Sequence, residues 1–281
     1  MEEMQGALPP ILTAHLFPKI ESLLIELLES LEPADWERQT ISPKWRVKDV
    51  AAHLLDTQLR KLSAVRDNYA AEQPVIRSAA DLVAFVNRLN EEGVRLYRRL
   101  SPSVLISLME VASRQSGEFH SSLDPFAPAA FAVSWAGDEM SPNWFDTARE
   151  YTERWHHQQQ IRLAVNRPGI MTPELYHPVL DCFMRALPHA YRNVDAEPDT
   201  LLQFEISGDA GGMWHLHREG GAWRLSDRAI GKLAAHVTIP PEIAWRIFTK
   251  GLDPASAASQ TRLDGNLELG RHILQMKAIV G

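Results

Sequence analysis

The sequence predicts an α+β protein: an N-terminal helical bundle (residues 1–192) followed by a smaller α+β domain (200–281) with an antiparallel sheet. Three observations carry this. Between Ile11 and about Ala190, apolar residues recur at three- and four-residue intervals, the pattern of amphipathic helices. Beyond "RNVDAEPDT" (Arg192–Thr200) they give way to short alternating runs punctuated by glycine pairs, which read as strands and turns. The chain has 281 residues, enough for two domains that each bury a core.

The elements follow in order. In "LFPKIESLLIELLESL", Ile20, Leu23, Leu24, Leu27, Leu28 and Leu31 form one helical stripe. "WRVKDVAAHLLD" gives a second helix whose buried stripe is Val47, Val50, Ala51 and Leu54. "SAADLVAFVNRLNEEGVRLYRRL" is a third, with Ser78 as its N-cap and Asp81 three residues on. "SPSVLISLMEVASRQ" is a fourth, with Ser101 capping and Pro102 in the first turn. A long loop is expected from Gly117 to Asn143, holding His120 and Trp135 and ending beside Trp144; loops of that length often shape binding sites. "YTERWHHQQQIR" returns to helix. "LLQFEIS", "MWHLHRE", "AWRLSD" and "AAHVTIP" read as strands, "PPEIAWRIFTKG" as a helix, "TRLDGN" as a further strand and "LELGRHILQMKAIV" as a closing helix.

Composition excludes some functions. With 45% hydrophobic and 23% charged residues the chain is an ordinary globular one, and no basic run accompanies its net charge of −7. Nucleic acid is therefore not an expected partner. The most apolar window, "PFAPAAFAVSWAG", is too short and proline-broken to span a bilayer, so no membrane is expected. Its N-terminus, "MEEMQGALPP", does not read as a secretory leader. The one cysteine, Cys182, lies in an apolar helical frame and reads as a buried thiol; a cytoplasmic location is expected.

Chemistry concentrates in three residues. Glu153 and His157 are four apart, which puts them about 40° apart on one helical face, while His156 points elsewhere. A divalent cation can take two ligands from such a pair, and His53, inside the apolar frame of its helix, is the candidate third. Two histidines and a carboxylate leave a coordination position open, as catalytic sites do. The same spacing also suits a solvated ion pair and a hydrogen-bonded structural histidine, and pattern alone leaves both open. His215 and His217, two apart on a strand, read as surface residues. "SGDAGGM" reads as a hairpin turn, since a P-loop needs a lysine and a following helix.

"ADWERQTISPKWRVKDVAAHLLD" resembles the N-terminal signature of the DinB-like, mycothiol-dependent maleylpyruvate isomerase family. "VSWAGDEMSPNWFDTAREYTERWHHQQQIRLA" is similar to its second motif, and "EIAWRIFTKGLDPASAASQTRLDGNLELGRHILQM" to the sterol-carrier-like domain of many members. The resemblance implies a DinB-like four-helix bundle holding one divalent metal on His53, Glu153 and His157. Zinc is the first choice, with nickel or iron as alternatives. Family members often carry an acidic residue where this chain has Gln159 or Gln160; if that residue is a partner of the ligand histidine, its absence leaves the orientation of the histidine unexplained.

The family's chemistry implies a low-molecular-weight thiol such as mycothiol, deprotonated on the cation. The thiolate would add to a cis double bond, and rotation with loss of the thiol would give the trans isomer. Attack on another small-molecule electrophile would instead make the protein a thiol S-transferase. A non-enzymatic module binding an apolar ligand is a further reading. For substrate contacts, Arg246 and Trp135 are the candidates; Lys250, four residues after Arg246, reads as solvated. A monomer or small homo-oligomer is expected.

Overall fold

The computed structural model describes residues 8–279. Residues 1–7, most of the stretch read for a leader, and Val280 of the expected closing helix lie outside that range. The described residues divide into two compact units. One comprises Leu12–Ala130 and Glu150–Ile170; the other comprises 8–11, Phe131–Arg149 and Met171–Ile279. The units interleave along the chain, so 131–149 and 171–192, which a boundary at residue 192 groups with the bundle, belong to the sheet-bearing unit. Periodicity reveals that a helix has an apolar face but not which core that face meets.

The helical unit contains α1 (Phe17–Glu29), α2 (Pro33–Trp36), α3 (Val47–Lys61), α4 (Ala79–Tyr97), α5 (Pro102–Ser122) and, from Glu150 onward, α6 (Asn143–Val165). Its core joins Leu24, Leu27 and Leu28 of α1 to Val47, Val50, Ala51 and Leu54 of α3, Leu105 and Met109 of α5, and Ile161 of α6. Each of these side chains except Ala51 stabilises by about 1.5–3 kcal/mol when fully buried. The expected caps are present: Ser78 Oγ accepts from Asp81 N at 3.2 Å and Ser101 Oγ from Val104 N at 3.4 Å. One boundary differs. The helix expected to end near Gln115 continues to Ser122, so His120 is helical and buried, stacked on Phe17 at 4.5 Å between ring centres. Ser116 and Gly117 interrupt the apolar pattern there, yet both are buried because small residues permit close packing.

The sheet unit contains α7 (Pro173–Met184), α8 (Leu187–Ala190), β1 (Thr200–Ile206), β2 (Gly212–Glu219), β3 (Ala222–Ser226), β4 (Lys232–Ile239), α9 (Pro241–Phe248), α10 (Pro254–Ala258), β5 (Arg262–Gly265) and α11 (Leu267–Arg271). Among the described residues the sheet has five strands in the order β3-β2-β1-β4-β5. Period-two alternation sends Leu202, Phe204, Trp214, Leu216 and Val237 into the core. Helix α7 is tied to this unit: Tyr176 Oη donates to the Pro241 carbonyl at 2.6 Å and Trp214 Nε1 to Asp181 Oδ1 at 3.0 Å. Cys182 on α7 is buried, as its frame predicts.

The expectation of an antiparallel sheet needs one correction. Strand β4 pairs with β1 in parallel, while the other pairs are antiparallel. Residues Asp227–Gly231 carry the chain past β2 and β1, and alternation looks the same for either pairing direction. Gly231 enables the join: its φ is +103°, and a Cβ there would lie 2.3 Å from the Asp199 carbonyl oxygen that accepts the Lys232 N–H. Gly231→Ala is therefore expected to destabilise this unit by more than about 1 kcal/mol, read as a lower urea midpoint. The closing helix is also shorter than expected. After α11 the chain makes a 3₁₀ turn (His272–Gln275), then extends so that Ala278 N donates to the Phe248 carbonyl at 3.0 Å. His215 and His217 point to the face of the sheet opposite Leu216; His217 is buried rather than exposed.

Candidate metal centre

The loop before α3 and that helix's first turn place the first residue. Asp49 accepts the Arg46 N–H at 3.0 Å and pairs with Arg98 at 2.6 Å, which fixes the start of α3. The Trp45 carbonyl accepts from Thr40 Oγ1 at 2.7 Å and Gln39 Nε2 at 2.9 Å. The aspartate of "WRVKDV" thus has local structural work. Two turns into α3, His53 is buried. Its imidazole lies 4.6 Å from the Trp45 ring and 4.6 Å from that of His157, centre to centre.

Helix α6 supplies the other two. One ligand atom from each of His53, Glu153 and His157 can be chosen so that all lie within 4.8 Å of one another, and among the described residues this is the one group of three or more His, Cys, Asp or Glu that could share a cation. His157 Nε2 is 3.5 Å from Glu153 Oε2. His157 Nδ1 lies 3.0 Å from Gln160 Oε1. With that amide oxygen accepting, the proton sits on Nδ1, and Nε2 keeps its lone pair for a ligand. Gln160 is thus the side-chain partner of the His157 imidazole. Gln160→Ala is expected to weaken metal affinity about 10–100-fold with little change in fold, measured by competition with a chromophoric chelator.

The neighbouring residues are consistent with a cation. Burial, and secondarily the nearby His157, hold the His53 pKa well below its ordinary value, so the imidazole is neutral. Its Nδ1 is buried without a hydrogen-bond partner, a costly state for a polar atom. Two imidazoles and a carboxylate form a donor set suited to zinc. The residues present therefore fit the group. His156 stands apart: its Nδ1 donates to the Thr152 carbonyl at 3.0 Å, and burial with the adjacent His157 pushes its pKa down to about 3.

The remaining candidates belong to the sheet unit. Trp135 is buried edge-on to Phe145 at 5.9 Å, with its indole Nε1 lacking a partner. Arg246, on α9, is half-buried, and its Nε also lacks one. Trp144 stacks on Phe145 at 5.1 Å beneath the Arg185 guanidinium. Sequence reasoning missed a buried polar cluster in the bundle, Glu21, Gln58, Ser113 and Arg154. A signal for it existed: Gln58 sits about 20° from Val47 on the helical wheel, in the middle of the α3 apolar stripe.

With this geometry in hand, comparison with known proteins is decisive for family. The family described as the mycothiol maleylpyruvate isomerase N-terminal domain matches residues 17–162, just over half the chain. The chain belongs to that family. An uncharacterized protein of Mycobacterium tuberculosis (strain CDC 1551 / Oshkosh) is 25% identical over 216 residues, covering 75% of this chain and 79% of its own. The counterpart in a second strain gives the same values. The crystal structure of a mutant mycothiol-dependent maleylpyruvate isomerase superposes with a TM-score of 0.51 at 11% identity, covering 90% of this chain and 92% of that one. That likeness is one of fold, and it extends through the helical and sheet regions.

Proposed function

We propose that the protein is a maleylpyruvate isomerase-like enzyme that uses a divalent cation, zinc by preference, and a low-molecular-weight thiol of the mycothiol type. The observation that carries this reading is the convergence of His53, Glu153 and His157, residues from two stretches 100 or more apart in sequence, at one place in the bundle of a chain that belongs to this family. A bound cation would supply the charge that turns a thiol into a thiolate near neutral pH. The chain's own residues do the rest. Gln160 fixes the His157 tautomer. Trp45, half-buried against both imidazoles, shields one side of the site from water. Glu153, the least buried of the three, marks the open side. Arg246 and Trp135, whose candidacy rests on their sequence setting, are kept as the proposed contacts for an anionic substrate, a 2-oxo acid with a cis double bond. Among the described residues no helix is long and apolar enough to cross a membrane, and a lone buried cysteine suits a reducing cytoplasm. The sheet unit is read as the family's sterol-carrier-like module.

The test is an incubation of zinc-loaded protein with mycothiol and maleylpyruvate, followed by proton NMR. The proposal expects the trans isomer to accumulate with the thiol unconsumed. A thioether product would make the enzyme a thiol S-transferase. No turnover of either kind with zinc, nickel or iron would refute the enzymatic reading.

A further inference from the structure

Helix α6 carries two of the three ligands, yet little in its sequence fixes its rotation. From Tyr151 to Arg162 every residue except Glu153 is buried, but the large apolar ones are only Tyr151, Trp155 and Ile161. A helix buried on all sides is ordinarily apolar on all sides, and its apolar side chains set its rotation by filling the grooves of its neighbours. Here Arg154, His156 and three consecutive glutamines occupy those places.

Resting on the metal site proposed above, we infer that the buried Arg154–Glu21 pair is a positioning strut that sets the rotation of α6, and so determines metal affinity although neither residue is a ligand. Arg154 directly follows Glu153 in the chain and is 1% exposed. Its Nε lies 3.1 Å from Glu21 Oε1 on α1, and its Nη1 donates to Thr57 Oγ1 on α3 at 3.2 Å. Thr57 is one turn beyond His53 on that helix. Glu21 is fixed in turn: Gln58 Nε2 donates to Oε1 at 3.1 Å and Ser113 Oγ to Oε2 at 2.9 Å. One charge pair thus joins α6 to α1, α3 and α5 within a turn of the ligands. A ligand atom stands about 6 Å from the helix axis, so a 20° rotation displaces it by about 2 Å. Metal coordination tolerates only about 0.2 Å.

The test is a cobalt(II) titration followed by visible absorption, with circular dichroism as the check on folding, in the wild-type protein and the Arg154→Met/Glu21→Leu double variant. Exchange of a buried ion pair for apolar residues of similar volume often leaves stability unharmed, so the double variant is expected to fold. The strut predicts a cobalt Kd raised at least about 10-fold with an altered d–d spectrum. A folded double variant with Kd within about twofold of wild type and the same spectrum overturns the inference and leaves the metal site standing. If the double variant does not fold, Arg154→Lys, which keeps the charge and shortens the reach, decides by the same criteria; its failure to fold counts against a role confined to positioning and overturns the inference. Failure of the wild-type protein to bind cobalt overturns the metal reading itself.

Discussion

His53→Ala is expected to lower the affinity for zinc by more than about 100-fold, beyond the 10–100-fold that loss of an orienting partner costs. The reason is the origin of the three donors. Glu153 and His157 come from one helix, and only His53 brings a donor from a second. Without it the cation is held by an i, i+4 pair alone, with water completing its coordination. The fold should persist, because the substitution removes a desolvated imidazole whose Nδ1 has no partner and leaves the Val47, Val50, Ala51 and Leu54 stripe intact. Glu153→Gln should act in the same direction, since an amide oxygen is a weaker donor to zinc than a carboxylate. Competition against a chromophoric chelator measures both, and unchanged affinity in either folded variant would exclude that residue from the site.

Arg154→Met alone should destabilise the fold by about 3–5 kcal/mol at pH 7, because it leaves a carboxylate buried without its cation. The pH dependence has a definite sign. Burial is the larger influence on Glu21 and raises its pKa, while Arg154 opposes the rise. Removing Arg154 leaves burial opposed only by the Ser113 and Gln58 hydrogen bonds, so the folded-state pKa climbs further above the unfolded value. An acid whose pKa is raised by folding destabilises above that pKa, and the penalty fades as pH falls through it and the proton returns. Urea unfolding at pH 7 and pH 5 should therefore show a smaller difference from wild type at the lower pH. Adding Glu21→Leu to Arg154→Met should restore most of the lost stability at neutral pH. A difference independent of pH would mean that lost packing, and not the stranded charge, accounts for the effect.

What could be read from the sequence follows the range of each interaction. Helices and caps are local, so the apolar stripe of α3 and the Ser78 and Ser101 caps were legible residue by residue. The spacing of Glu153 and His157 was legible for the same reason. That His53 meets them was suggested by its frame and motif, while the meeting itself is a tertiary fact. The parallel β1/β4 pair was hidden because alternation carries no direction. The continuation of α5 was hidden because Ser116 and Gly117 resemble loop residues until the close packing they allow is visible. The Arg154–Glu21 pair joins residues that each look solvent-facing alone, although Glu21 lies at the edge of the α1 apolar stripe. The His157–Gln160 hydrogen bond was not legible, because the sequence showed only that glutamines stand where an acidic partner is common and left the orientation of the histidine unexplained.

The most direct measurement is X-ray absorption at the zinc edge on protein dialysed to constant metal content. The account predicts one zinc per chain, with a first shell of two imidazole nitrogens and carboxylate oxygen at about 2.0–2.2 Å. A protein that retains no zinc, or whose zinc shell is unchanged in a His53→Ala/His157→Ala variant, would contradict it.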